Sequence, residues 1–332
     1  MDYLILLLGL AVLVLGGDFL VRGAVGFSRT MRISPLVIGM TVVAFGTSAP
    51  ELLVSLKSAL AGNSGIAIGN VVGSNIANIA LVLGVTVLIF PIFTDRQTKI
   101  VDYPMLIGAT LLFYLFSLDG LLEFYEGLIF MSILIIFIAL LISHSRKRTK
   151  LQDIEDDHLV EDDGSDPTKS AKKKASFWKS MFFLFLGFIG LYFGADWFIK
   201  GAVSIADVFL AGNPNKDAII GVTVVAFGTS APELVASCVA AFKKETDISI
   251  GNLIGSNLFN IFAVLGITAM VTPIEVSDSI IKFDFTWMIG LTLFLVFILY
   301  FGKKIGRLKG AILFSSYVTY ITVIILKVQG VI

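Results

Sequence analysis

Twelve residues, TVVAFGTSAPEL, occur twice without a change, at Thr41 to Leu52 and at Thr223 to Leu234, and both copies lie inside apolar sequence long enough to cross a bilayer. Each copy carries one glutamate, Glu51 or Glu233. A carboxylate at the centre of a membrane helix costs roughly 2.5–3.5 kcal/mol on insertion scales, so keeping two of them in duplicated surroundings argues for a binding role. The structural alternative requires the same costly accident twice.

The repetition extends beyond the identical stretch. GGDFLVRGAVGFS from Gly16 is echoed by GADWFIKGAVSIA from Gly194, and GNVVGSNIANI from Gly69 by GNLIGSNLFNI from Gly251. The two inner motif pairs share an offset of 182 and the outer pair an offset of 178, which fits a four-residue insertion near Gly212 to Asn215. A mean hydropathy of +0.92 places the chain among integral membrane proteins. Apolar segments of spanning length can be placed ten times, over 3–21, 33–61, 66–91, 101–118, 123–143, 179–200, 217–242, 248–272, 284–301 and 309–326. Five spans per half is an odd number, so equivalent motifs enter the membrane from opposite sides, as in an inverted-topology repeat. The expected fold is therefore an all-α membrane protein of ten transmembrane helices, built as two inverted five-helix repeats (1–143 and 179–332) with broken helices at the midplane.

Between the repeats lies a charged linker, 144–178, with basic, acidic and again basic blocks. Such blocks cannot bury a core, and the stretch reads as a solvated, mostly disordered loop without the ligand spacing of an EF-hand. Basic residues follow the odd-numbered spans (Arg22, Arg29, Arg32; Arg96, Lys99; the linker; Lys243, Lys244; Lys303, Lys304, Arg307, Lys309), whereas the opposite loops hold Asp119, Glu123, Glu126, Asp207, Glu275 and Asp278. The positive-inside rule then puts the linker in the cytoplasm and both termini outside a prokaryotic inner membrane. Asp18 with Arg22 and Asp196 with Lys200 read as helix-internal i, i+4 ion pairs. Zero net charge gives no reason to expect a nucleic-acid partner. The single cysteine excludes a thiolate cluster, and both histidines, His144 and His158, sit in the linker. Any embedded site is built from oxygen.

In AFGTSAPE, Pro50 lacks an amide hydrogen and its ring opposes the carbonyl of Gly46, so the helix should break around Gly46, Thr47 and Ser48; Pro232 should act likewise around Gly228, Thr229 and Ser230. Unwound carbonyls beside a carboxylate and hydroxyls are how transporters hold a desolvated cation. Asn70, Ser74 and Asn78 fall at i, i+4 and i+8 on one helix face, as do Asn252, Ser256 and Asn260, while the glycines of each motif allow close helix approach. Taken singly, such a serine or asparagine is more often a helix–helix hydrogen bond than a ligand. Together, two carboxylates with hydroxyls, amides and carbonyls suit hard cations such as Ca²⁺ and Na⁺.

Paired GTSxPEL and GNxxGSN motifs in two inverted halves make the chain resemble the cation/Ca²⁺ exchanger superfamily, in particular its prokaryotic Na⁺/Ca²⁺ exchangers. The resemblance covers nearly everything outside the linker. It implies an antiporter, not an enzyme, that exchanges Ca²⁺ for Na⁺ by alternating access, with no cofactor and no nucleotide, and with the lipid bilayer and its ions as partners. By motif position, Glu51 and Glu233 correspond to the central Ca²⁺ ligands, joined by Thr47 and Thr229. Ala44, Thr47, Ser48, Glu51, Ser74 and Asn78, with Ala226, Thr229, Ser230, Glu233, Ser256 and Asn260, correspond to the Na⁺ positions. The chain departs from the pattern at Asn260, where many such exchangers carry aspartate, which leaves the cage two formal negative charges. H⁺/Ca²⁺ antiport and, from another class, a passive cation channel are the competing expectations.

Overall fold

A computed structural model describes residues 2–93, 98–157, 167–220, 223–224, 226–300 and 304–331. The described chain is helical apart from four two-residue strands. We name the helices α1 Asp2–Met31, α2 Pro35–Thr47, α3 Ala49–Leu60, α4 Ser64–Ile89, α5 Ile100–Phe116, α6 Phe124–Arg148, α7 Ala175–Phe209, α8 Lys216–Ile220, α9 Ala226–Thr229, α10 Ala231–Phe242, α11 Thr246–Val271, α12 Ile280–Ile298 and α13 Arg307–Val328. Among the described residues seven helices are long and apolar enough to cross a membrane, and the bent pair α2–α3 makes an eighth candidate. The other expected spans correspond to shorter apolar helices, α5 and α10. This is a multi-pass, all-helical membrane protein.

Expected 33–61 is a pair of helices, α2 and α3, bent by 43° at the break between them. The entry of α2 is set by Ser34, whose side chain accepts from Val37 N, and by Pro35 in the first turn, where a missing amide hydrogen costs nothing. The backbone leaves helical geometry at Ser48 (φ −86°, ψ 4°), just ahead of Pro50. Ser230 repeats this at φ −85°, ψ 1° ahead of Pro232, so both breaks lie where proline chemistry puts them. Wide, π-helical turns open at Asn78 and at Asn260, at equivalent positions of α4 and α11. Such turns cluster at functional sites because they re-aim side chains.

The long helices α1 and α7 pack against each other antiparallel in a register absent from the reading of the sequence. Gly16 and Gly23 of α1 face the backbone nitrogens of Leu191 and Leu184, and Gly187, Gly194 and Gly201 of α7 face those of Leu20, Leu13 and Leu6. A Cβ on any of these five glycines would lie 2.6–2.7 Å from a backbone nitrogen, so the backbones meet with no side chain between them. Glycine and its apolar partner both recur every seven residues, the spacing that keeps one seam facing a partner helix. Asp18 pairs with Arg22 and Asp196 with Lys200, each at 2.7 Å, as i, i+4 geometry requires. Asp18 also takes Lys243, the residue capping α10, at 2.5 Å. Position 61, 182 residues earlier, is alanine, so the first half has no such tie.

Beside this pair, α4 and α11 are the most buried of the long helices. Two antiparallel ladders, Ile92–Phe93 (β1) with Lys304–Ile305 (β4) and Leu121–Leu122 (β2) with Ile274–Glu275 (β3), each join a loop of the first half to one of the second. The stretch read as a loop from Ser145 instead continues α6 as helix to Asp157, and helix resumes at Pro167. Lys, Arg, Gln and Leu are good helix formers, so a segment with no core of its own still extends the helix it follows. Arg96, Lys303 and the stretch 158–166, with His158 and Glu161, lie outside the described residues.

Candidate functional site

Glu51 and Glu233 each stand in the first turn of the helix that follows a break, where unpaired backbone N–H groups favour negative charge. Both are fully buried, at 0% exposure. A mirrored brace holds each one. Asn70 Nδ2 donates to Glu51 O at 3.2 Å and to Ser55 Oγ at 2.9 Å; Asn252 Nδ2 donates to Glu233 O at 3.4 Å and to Ser237 Oγ at 3.0 Å. One amide thus ties the α4 or α11 stripe to the helix carrying the acid, at the glutamate's own carbonyl and at the serine one turn after it.

The halves interlock at the breaks. Ser48 Oγ donates to Glu233 Oε1 at 3.4 Å, and Thr47 Oγ1 donates to Asn252 Oδ1 at 3.1 Å and stands 3.3 Å from Ser256 Oγ. Glu51 lies within electrostatic reach of Glu233. The expected residues Thr47, Ser48, Glu51, Ser74, Asn78, Thr229, Ser230, Glu233, Ser256 and Asn260 are all buried, and Ala44 is buried at the head of the first break, its carbonyl accepting from Ser48 N at 2.9 Å. Ala226 opens α9, and its side chain lies outside the described residues.

Among the described residues, both oxygens of Glu51, Glu233 Oε2, Ser230 Oγ and both amide atoms of Asn78 and Asn260 make no hydrogen bond within the protein. Buried polar atoms are normally paired, because leaving one unpaired costs about 1–3 kcal/mol and more for a charged group. Unpaired buried oxygens that include those of two carboxylates can accept a cation. Also among the described residues, no three His, Cys, Asp or Glu side chains gather. The donor set is therefore two acids plus neutral oxygens, chemistry suited to Ca²⁺ or Na⁺ and unsuited to zinc.

The two halves differ in packing although their motifs match. Gly251, Asn252 and Gly255 of α11 are buried against α2, where a Cβ on Gly255 would meet Met40 O at 2.6 Å. Their counterparts on α4 are open: Gly69 is exposed, Asn70 and Gly73 are half-buried, and Ile66 is 57% exposed where its equivalent Ile248 is 1% exposed. Ser55 and Ser237 went unread in the sequence, although the same offset of 182 relates them and each falls one turn after its glutamate.

A family model described as sodium/calcium exchanger protein matches residues 1–143 and 179–326. The sodium/calcium exchanger MaX1 of Methanosarcina acetivorans is 33% identical, over 97% of this chain and 98% of that protein. The inner membrane protein YrbG of Escherichia coli is 30% identical, over 96% of this chain and 95% of that one. Among solved structures, the sodium-calcium exchanger NCX_Mj superposes with a TM-score of 0.79 at 29% identity, covering 97% of both chains.

Proposed function

Because the chain belongs to the sodium/calcium exchanger family, we propose that it is a secondary active antiporter that moves Ca²⁺ against Na⁺ by alternating access. One observation carries this reading: two buried glutamates, each held by its own asparagine brace, meet across the halves through Ser48 and Thr47, with their remaining oxygens unpaired. Two carboxylates match one divalent ion in charge, and removing either would leave that charge half compensated in a dry interior. On this reading Glu51 and Glu233, with the oxygens of Thr47 and Thr229, hold Ca²⁺. Na⁺ ions occupy flanking positions made by Ala44, Ser48, Ser74 and Asn78 and by Ala226, Ser230, Ser256 and Asn260, sharing the two glutamates and both threonines. Ca²⁺ and Na⁺ then compete for the same carboxylates, and mutual exclusion couples their movements.

On this reading ten crossings in two inverted repeats set the start of α2 near one membrane face and its counterpart, α8, near the other. The tight α2–α11 contact closes the first route, and the open α4 face leaves the second accessible. With both termini outside and the linker cytoplasmic, the open route faces outward in a prokaryotic inner membrane. The glycine seam makes α1 and α7 one body, suited to slide past the rest and exchange open and closed sides.

The test is ⁴⁵Ca²⁺ uptake into proteoliposomes. An outward Na⁺ gradient at fixed pH should drive uptake, and a pH gradient in Na⁺-free buffer should not. Uptake driven by the pH gradient alone would make the protein an H⁺/Ca²⁺ antiporter. Uptake that needs no counter-ion at all would make it a channel.

A further inference from the structure

Asn257, the last residue of the second GSN triplet, has no part in the cage described above, yet it is 2% exposed and polar. Its Nδ2 donates to Leu253 O at 2.9 Å, and a carbonyl can only accept, so this bond fixes the amide orientation and leaves Oδ1 as the free end. Oδ1 makes no hydrogen bond among the described residues. Asn257 shares a small cavity with Asn78 and Tyr103, themselves 1% and 3% exposed, walled otherwise by isoleucines and leucines of α4, α5, α11 and α12. The cavity's volume is about 10 Å³. That is at the lower edge of the room one water needs, roughly 10–15 Å³, and two asparagines and a tyrosine stand in a wall that is otherwise apolar, where a buried water requires two to four polar partners.

We propose that this cavity is a site for a single structural water and that, through it, Asn257 and Tyr103 act as positioning residues for Asn78. The water donates to Asn257 Oδ1 and accepts from Asn78 Nδ2, with the Tyr103 hydroxyl as its third partner. Asn78 Nδ2 is then spent on the water, and Asn78 Oδ1 turns to the polar stripe of Ser74, where an oxygen can face a cation and a nitrogen cannot. A cation is the wrong occupant, because the cavity contributes no formal charge to offset desolvation. The water site is one-sided: Phe285 stands where symmetry would put a second tyrosine. The role given to Asn78 rests on its reading as a Na⁺ ligand above.

A crystal structure of the Na⁺-loaded protein at a resolution that shows ordered solvent should contain one peak within hydrogen-bonding reach of Asn78, Tyr103 and Asn257, with no anomalous signal there after a Tl⁺ soak. A dry cavity, or thallium in it, overturns the site. In proteoliposomes, Asn257→Leu should raise half-saturating Na⁺ about tenfold, the worth of one lost hydrogen bond, with maximal rate and Ca²⁺ half-saturation little changed; Tyr103→Phe should do the same more weakly. Asn78→Ala separates the two readings. If it weakens Na⁺ binding while Asn257→Leu does not, the positioning role is wrong and the ligand stands. If both are silent, the Na⁺ role of Asn78 fails and takes the relay with it.

Discussion

Glycines 69 and 251 occupy the same place in the two copies of one motif, and alanine at each should have opposite effects. At Gly251 an added methyl overlaps the carbonyl of Leu36 and sits 2.9 Å from Met40 N and 3.0 Å from Gly39 Cα. Ordinary contact begins at 3.4 Å, so α11 and α2 must part by at least 0.5 Å to clear Met40 N, and by more to clear Leu36. Backbone cannot rotate away as a side chain could, and overpacking of this kind costs about 1–3 kcal/mol. Gly69 is exposed, with no described atom within 4 Å of the new methyl, so alanine there gains about 1 kcal/mol of helix propensity in this conformation. On the proposed alternating access between inverted repeats the two faces exchange roles in the opposite conformation, and Gly69→Ala then meets the clash that Gly251→Ala meets here. Gly251→Ala should therefore lower the unfolding temperature of the detergent-solubilised protein. Gly69→Ala should raise it while cutting Na⁺-driven ⁴⁵Ca²⁺ turnover at least tenfold, because each 1.4 kcal/mol of bias between two states is a factor of ten. A Gly69→Ala protein that turns over at the parental rate, or a Gly251→Ala protein of parental stability, would refute the reasoning.

Glu51→Gln and Glu233→Gln should each lower Ca²⁺ transport at least a hundredfold while the protein still elutes as a folded species on size exclusion, since a divalent ion in a dry site loses half its counter-charge. Asn252→Ala removes the bonds to Glu233 O and Ser237 and the acceptor for Thr47, so transport should fall about 10- to 100-fold; Asn70→Ala, at a half-buried position with two such bonds, should cost less in the same uptake assay. Lys243→Met removes the ion pair between α1 and α10, but the pair is partly exposed and worth under about 1 kcal/mol, so a double-mutant cycle with Asp18→Asn on unfolding temperature should show a coupling that shrinks in high salt.

Much of the site was legible because its chemistry is costly and duplicated. Proline at positions 50 and 232 placed both helix breaks, and a fixed offset brought Glu51 and Glu233 forward as a pair. The asparagine stripes were visible as well, but not that Asn252 Oδ1 would receive a hydroxyl from the other half, since that contact depends on how the halves pack. The seam of α1 and α7 escaped because glycine in apolar sequence gives no contrast in hydropathy; its seven-residue spacing is visible only against the matching leucines of the partner. The charged linker is helical to Asp157 and again from Pro167, where its composition reads as a loop, since a composition that cannot form a core can still prolong a helix. The bond between Lys243 and Asp18 joins residues remote in sequence and has no mirrored partner to betray it.

The two short ladders carry a consequence for biosynthesis. Ile92 and Phe93 find their partners only when Lys304 and Ile305 have left the ribosome, and Leu121 and Leu122 wait for Ile274 and Glu275. Helices of the first half therefore enter the lipid long before these edges can close. The nascent amino-terminal half keeps its strand edges unpaired through most of translation, and Glu51 at its centre waits with them for a counterpart still being synthesised.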